Sequence, residues 1–238
     1  MRNDAPIASA PPEAPLVEQA YEALRRSLIR CEFEPGQRLR VEELQRRYGF
    51  SSSPLREALN RLVQQGFVRT LEHRGFRVAP LSIEGITDLT RVRLLVECEA
   101  LRDAMRHGDD RWEAGLVAAL HALSLVEKRL GTGPVVLDDE WTSRHRAFHL
   151  AIYSGCTSPL LTEMVDGLFD QAERFRRFSA RLRTTHRAKN NEHQRLFNAV
   201  LARDEVQALA LLEQHIRSTE RNVTTALRTL AAGNSGPH

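Results

Sequence analysis

The strongest constraint in this 238-residue chain is one run, Phe50-Ser-Ser-Ser-Pro-Leu-Arg-Glu-Ala-Leu-Asn-Arg-Leu-Val-Gln-Gln-Gly66. Ser53 is placed to accept from the free N–H groups of a first helical turn. Pro54 suits that turn because its missing N–H has no intrahelical partner to lose. Leu55, Leu59, Leu62 and Val63 recur at three- and four-residue spacing and form an apolar stripe. Arg56, Asn60, Arg61, Gln64 and Gln65 fall largely outside it, and Gly66 ends the element. Such a helix packs inward on one face and offers guanidinium and amide groups on the other.

Its flanks give it a context. Residues 16–30 carry Leu16, Ala20, Ala23, Leu24, Leu28 and Ile29 in helical rhythm, until Glu34-Pro35-Gly36 breaks the pattern. Residues 41–48 read as a short helix with Val41, Leu44 and Tyr48 inward, and Gly49 supplies a positive-φ stop. A short helix, a glycine turn and a capped second helix make a helix-turn-helix, so the 50–66 run becomes the candidate DNA-reading helix. Residues 67–71 and 76–79 then alternate as two strands around Glu72-His73-Arg74-Gly75, a hairpin that would be the wing. Net charge over the whole chain is only +3, yet residues 14–80 hold twelve Arg, no Lys and eight acidic residues. That local excess fits phosphate contact, and equally a solvated charged face.

Pro35-Gly36, Leu39, Glu43-Leu44, Gly49-Phe50-Ser51, Ser53 to Leu59, Arg61-Leu62, Gly66-Phe67-Val68 and Arg74 to Val78 together resemble the winged helix of GntR-type bacterial transcription regulators. The resemblance implies an arginine of the recognition helix on base edges or phosphate, and Arg56 stands at that position. Ser52 stands where the family commonly has arginine, which implies a different operator. An arginine fork bound to guanine O6 and N7 discriminates by about 1–3 kcal/mol, while other arginines anchor to phosphate. The candidate DNA contacts are Arg56, Ser53, Asn60, Arg61, Arg38, Arg74 and Gly75.

After Pro80-Leu81-Ser82 the pattern changes to helices throughout. Ser82 is a cap, and the run to about His107 points Ile86, Leu89, Val96, Ala100 and Ala104 inward, with Arg93 and Glu97 on the same face at i, i+4. Further helices are expected at 112–130, 138–154, 159–179, 182–202 and 205–230, with no strand signal. The fold class is therefore mainly α: a winged helix-turn-helix over 14–80 and an all-α bundle of about six helices over 83–230. Residues 1–13 and 231–238 are expected as flexible tails. At 42% hydrophobic residues the chain can bury both cores. No signal peptide, membrane span or CxxC spacing appears, and the three scattered cysteines suit a reducing cytoplasm.

The chemistry of the second domain lies in histidines. His145 and His149 share a helix face beside Phe148 and Ile152. His193 lies next to Leu196, Phe197 and Val200, and His215 next to Leu211, Leu212 and Ile216. Three helices thus each offer imidazole from an apolar face, a donor set that suits Zn²⁺ or Ni²⁺. Arg93 pairs with Glu97 or points its planar fork at an anionic ligand. Arg93 and Glu97, His145-x-x-Phe148-His149, Glu192-His193 and His215 resemble the all-helical FCD domain of the FadR subgroup. That likeness implies a divalent metal held by one Asp and three His, with a small organic acid on the metal. His149, His193 and His215 match the three histidines, and His145 replaces the Asp, giving a three- or four-histidine site. The run from Glu140 through His149 to Ser158-Pro159 is similar to carbon-starvation regulators that control dicarboxylate catabolism. His186, Lys189 and Asn222 are further candidates for ligand oxygens.

These readings converge on a cytoplasmic regulator, expected as a homodimeric repressor on a double-stranded, pseudo-palindromic operator. A mono- or dicarboxylate effector would bind at a divalent metal, with Arg93, His186 and Asn222 as effector contacts. Two alternatives remain at this level: a metal-dependent hydrolase with an accessory DNA-binding domain, and a regulator that senses the metal itself. The hydrolase lacks an H-E-x-x-H motif or a free carboxylate beside the histidines to act as base.

Overall fold

A computed structural model describes residues 14–71, 75–129, 139–182 and 191–234. The chain divides into two units, Met1–Leu28 with Glu32–Ala79 and Ile29–Cys31 with Pro80–His238.

In the first unit the elements run α1 (Leu16–Ile29), β1 (Arg38–Leu39), α2 (Val41–Tyr48), α3 (Ser52–Gln64), β2 (Val68–Leu71) and β3 (Gly75–Val78). Ala20, Leu24 and Leu28 of α1 and Leu55, Ala58, Leu59 and Leu62 of α3 are all essentially inaccessible and form its core. Gly49 closes α2 at φ +76°, a left-handed conformation that glycine adopts without steric cost. The start of α3 differs from expectation. Ser51 is the N-cap, without a side-chain cap bond, and Ser53 lies inside the first turn. Pro54 is thereby the third helical residue, where an N–H is still without an intrahelical acceptor, so proline is tolerated. The sheet has a third strand that the sequence pattern did not show. β1 pairs antiparallel with β3, giving the order β1-β3-β2. A two-residue strand is too short to alternate, so only its pairing reveals it.

The second unit is helical throughout its described residues: α4 (Ile83–His107), α5 (Asp110–Arg129), α6 (Asp139–Tyr153), α7 (Pro159–Arg181), α8 (Glu192–Leu201) and α9 (Glu205–Asn234). Ser82 caps α4 by accepting from the Gly85 N–H at 3.1 Å, and Asp204 accepts from Gln207 N–H at the start of α9. α4 packs on α7 and α9, α5 on α6, and α8 on α9, around Leu101, Leu116, Phe148, Ile152, Val200, Leu212 and Ile216. Two boundaries move. The helix expected from residue 182 begins only at Glu192, since Leu182 is the C-cap of α7. At the other end α9 continues to Asn234, four residues past the expected stop at 230, because Ala231 and Ala232 are strong helix formers. No helix of the described residues is long and apolar enough to cross a membrane.

Candidate functional site

On the winged unit, Ser53, Arg56 and Asn60 are exposed and lie three and four residues apart, hence on one face of α3. No hydrogen bond or ion pair engages Arg56 among the described residues. Arg61, proposed beside it, is placed differently. Its guanidinium bonds Glu18 at 2.6 Å and lies 3.9 Å from the Tyr21 ring centroid, both on α1. Tyr21 in turn donates to Gln65 at 2.9 Å. Arg61 thus ties α3 to α1, because residue 61 sits on the flank between the apolar stripe and the outer face. The Glu18 carboxylate accordingly raises its pKa.

The sheet adds a feature that no single strand announces. Arg38 pairs across the sheet with Arg77, and Arg77 with Arg69, so three exposed arginines form one row over β1, β3 and β2. Like charges directly opposite one another repel, and a polyanion laid on the row would offset that cost. Gly75 opposes Leu71 at φ +94°, where a side chain would be strained. Arg74 lies outside the described residues.

In the second unit, α6, α8 and α9 bring His145, His149, His193 and His215 together. One potential ligand atom from each lies within 4.8 Å of the others. His145 and His149 face each other, Nε2 to Nε2, at 3.2 Å. The rings of His149, His193 and His215 form a nearly regular triangle with centroids 4.9, 5.2 and 5.5 Å apart. His193 stands in the first turn of α8 rather than midway along a helix, following the shifted helix start. Burial pushes the His145 and His149 pKa values well below the ordinary imidazole range, and Arg176 and the neighbouring imidazoles add to the effect. For His215 burial outweighs the Glu192 bond and lowers the value to about 4. These three are therefore neutral near pH 7, the form that donates a lone pair.

Two carboxylates flank the cluster from outside. Glu192 Oε2 lies 3.2 Å from His215 Nδ1, and Glu127 Oε1 lies 3.5 Å from His193 Nδ1. The Glu192 carboxylate hydrogen-bonded to His215 Nδ1 fixes the tautomer that leaves Nε2 for a ligand, whereas Glu127 stands near His193 without a hydrogen bond. Among the described residues, His193 Nε2 and His149 Nδ1 are buried without a hydrogen-bond partner, at a cost of about 1–3 kcal/mol each. A divalent ion bonded at about 2.0–2.1 Å sets its nitrogen ligands roughly 2.9–3.4 Å apart, a range that includes the His145–His149 separation. The donor set fits a transition metal.

The arginines here are also redistributed. Arg93 is spent within its own helix: Nε and Nη2 meet Glu97 at 2.6 and 3.3 Å, and Tyr153 donates to Glu97 Oε2 at 2.7 Å. At i, i+4 in a buried site the fork finds its carboxylate next door, so the ion pair with Glu97 is present. Arg176 of α7 meets the cluster instead, with Nη1 at 3.0 Å from His145 Nδ1. Sequence reasoning missed it, as it missed Glu127 and the stacking of Trp141 on His145 at 4.5 Å between centroids. Asn222 is exposed on α9, while His186 and Lys189 lie outside the described residues.

The profile of the bacterial regulatory proteins of the gntR family matches residues 16–78, and that of the FCD domain matches 88–218. The chain belongs to the gntR family and carries an FCD domain. It is 38% identical to the HTH-type transcriptional regulator BphR of Paraburkholderia xenovorans, over 86% of this chain and 83% of that protein. It is also 38% identical to the HTH-type transcriptional repressor GlaR of Escherichia coli, over 82% of this chain and 90% of that protein. Among solved structures, E. coli McbR/YncC superposes with a TM-score of 0.73 at 22% identity, covering 91% of this chain and 99% of that one, which shows the shared fold. This gntR-family chain is thus a transcriptional regulator with a DNA-binding domain, and the hydrolase alternative falls away.

Proposed function

We propose that the protein is a repressor that binds its operator as a homodimer through α3 and the wing, and that a small carboxylate held at a divalent metal in the helical domain releases it. The observation that carries this reading is the convergence of four imidazoles from α6, α8 and α9, two with buried nitrogens that have no partner. The repressor role draws on the name of GlaR, and the carboxylate on the residues that resemble dicarboxylate regulators. On DNA, Arg56 reads a base edge or its nearest phosphate, Ser53 and Asn60 flank it, and Arg38 and the wing around Gly75 and Arg74 grip the backbone. Two copies about one helical turn apart would supply the affinity that one short helix lacks.

In the sensor, His149, His193 and His215 would hold Zn²⁺ or Ni²⁺, with His145 as a fourth ligand or a neighbour. Bound there, the metal would supply a positive centre that attracts a carboxylate. The protein's own part is to keep His145, His149 and His215 neutral by burial, to orient His215 through Glu192, and to exclude water. Arg93 acts with Glu97 as structure, and Asn222 has no part in this reading. Coupling of about 1–3 kcal/mol between the sites would change operator affinity some 5- to 150-fold.

A second reading, the metal as the signal itself, draws on the same four donors, since four histidines would close a tetrahedral set. Operator binding measured before and after chelation, with and without a panel of mono- and dicarboxylates, separates the two. Under the effector reading chelation leaves DNA binding intact and removes only the response to acid. DNA binding lost on chelation alone would favour metal sensing, and no response to either would remove both.

A further inference from the structure

We propose that the outer stripe of α4 is the surface through which two copies of this chain pair, antiparallel about a two-fold axis at Leu95. The inference rests on the reading of the protein as a homodimer and names the face that makes it one. Leu95 is 69% exposed in the middle of α4. Four residues to either side of it stand Arg91 and Glu99, seven residues away Asp88 and Arg102, and eleven away Glu84 and Arg106. At about 100° per residue all six lie within about 40° of Leu95 around the helix axis, so they form one stripe. Arg102 is half-buried and the other five are exposed. Each of the three pairs holds one acid and one base. Turned end over end onto its own copy, the stripe sets Arg91 against Glu99, Asp88 against Arg102 and Glu84 against Arg106, and the two-fold makes every contact twice. Laid parallel, it would meet its own charges.

The chain itself does not use up this pattern. Among the described residues no ion pair engages Glu84, Asp88 or Arg91. Glu99 meets Arg102 at 3.1 Å, and Glu205 of α9 lies 3.6 Å from Arg102 and 3.4 Å from Arg106. Exposed pairs of this kind are weak, so a carboxylate of a second copy can join them without displacing a strong bond. Arg91 and Glu99 are eight residues apart, about 12 Å along the axis, and therefore meet only between copies. One exposed leucine is ordinary on a protein surface, but on a two-fold axis it meets itself and supplies an apolar centre to a charged rim. Stable interfaces bury about 800 Å² per partner, more than one stripe offers. α7 runs beside α4 in the opposite direction, with Phe175 at Gly85 and Thr157 on Asp103, and its exposed Leu160 and Met164 offer further apolar area on the neighbouring helix.

The test measures the dimer dissociation constant of the full-length protein by sedimentation velocity, with circular dichroism as the check on fold. The variants are Leu95→Asp, Arg91→Glu, Glu99→Arg, and Arg91→Glu combined with Glu99→Arg. Leu95→Asp is expected to weaken the dimer on the order of 100-fold, since the new charge meets its own copy on the axis. Each single reversal creates two like-charge contacts and should weaken it on the order of tenfold. The double variant, and an equal mixture of the two single variants, set opposite charges against each other again and should both return to the wild-type affinity. Single reversals or a Leu95→Asp protein that dimerise as the wild type does overturn the stripe while leaving the homodimer reading in place. Losses that either the double variant or the mixture fails to recover overturn it in the same way. Wild-type protein that stays monomeric throughout the micromolar range overturns both.

Discussion

The outer face of α3 and the sheet, compared with the histidine centre of the helical unit, shows one residue type used in two ways. On the winged unit Arg56, Arg69 and Arg77 are exposed and, among the described residues, none of them has an ion pair, while Arg38, Arg77 and Arg69 share one cross-strand row. At the helical centre Arg93 is 4% exposed and lies on Glu97, and Arg176 is anchored to Glu173. A solvated guanidinium costs little to leave waiting for a partner, whereas a buried one must bring its counter-charge with it. Exposure therefore sorts arginines available to a polyanion from arginines that organise an interior.

The largest effect expected from breaking this contrast is on the outer side. Arg56→Ala should abolish operator binding without unfolding the protein, since in the proposed dimer each copy would lose about 1–3 kcal/mol of discrimination. Intact, normally salt-dependent binding in a mobility-shift titration would remove Arg56 from the interface. On the inner side, Glu97→Ala strands the Arg93 charge and should cost about 3–5 kcal/mol of stability, read from urea unfolding. A loss within that of an ordinary surface substitution would show that the pair is not buried as described.

Acid should sharpen the comparison next. Burial lowers the folded-state pKa of His145, His149 and His215, the last to about 4, while unfolded histidine titrates near 6.5. Between those values the unfolded chain holds more protons, so stability is full above about pH 6.5 and falls as pH drops toward 4. His215 alone accounts for roughly 2 kcal/mol between pH 7 and pH 5 in metal-free protein. A flat unfolding free energy across that window would mean the imidazoles are solvated. The smallest effect belongs to the arginine row: Arg69→Gln and Arg77→Gln should each lower the slope of log affinity against log salt by about 1 without altering operator preference. Unchanged slopes in both would place the row away from the duplex.

Much of this architecture was legible because helical rhythm is local. The stripe of Leu55, Leu59 and Leu62, the Gly49 stop, the Ser82 cap and the apolar faces around the four histidines each follow from neighbours three or four residues away. What escaped depends on the third dimension. Arg176 sits in the run Glu173-Arg174-Phe175-Arg176-Arg177, which reads as surface charge, yet Glu173 and Arg174 are buried. Nothing in sequence separates the arginine that reaches His145 from those beside it. Arg61 and Arg56 likewise look equivalent until Glu18 and Tyr21, some forty residues upstream, claim one of them. The row of Arg38, Arg77 and Arg69 needed the strand register, and the two-residue β1 had no pattern of its own to give it.

The partnerless nitrogens of His149 and His193 also bear on how long the protein would last in a cell. A chain that carries such groups inside is less stable empty than filled, and any species that binds only the folded form shifts the balance by mass action, about 2.7 kcal/mol at a hundredfold excess over its dissociation constant. Proteolysis draws on the open form. If the proposed metal is that species, its supply would set the abundance of this regulator by governing its turnover, independently of any change in how tightly each molecule holds DNA.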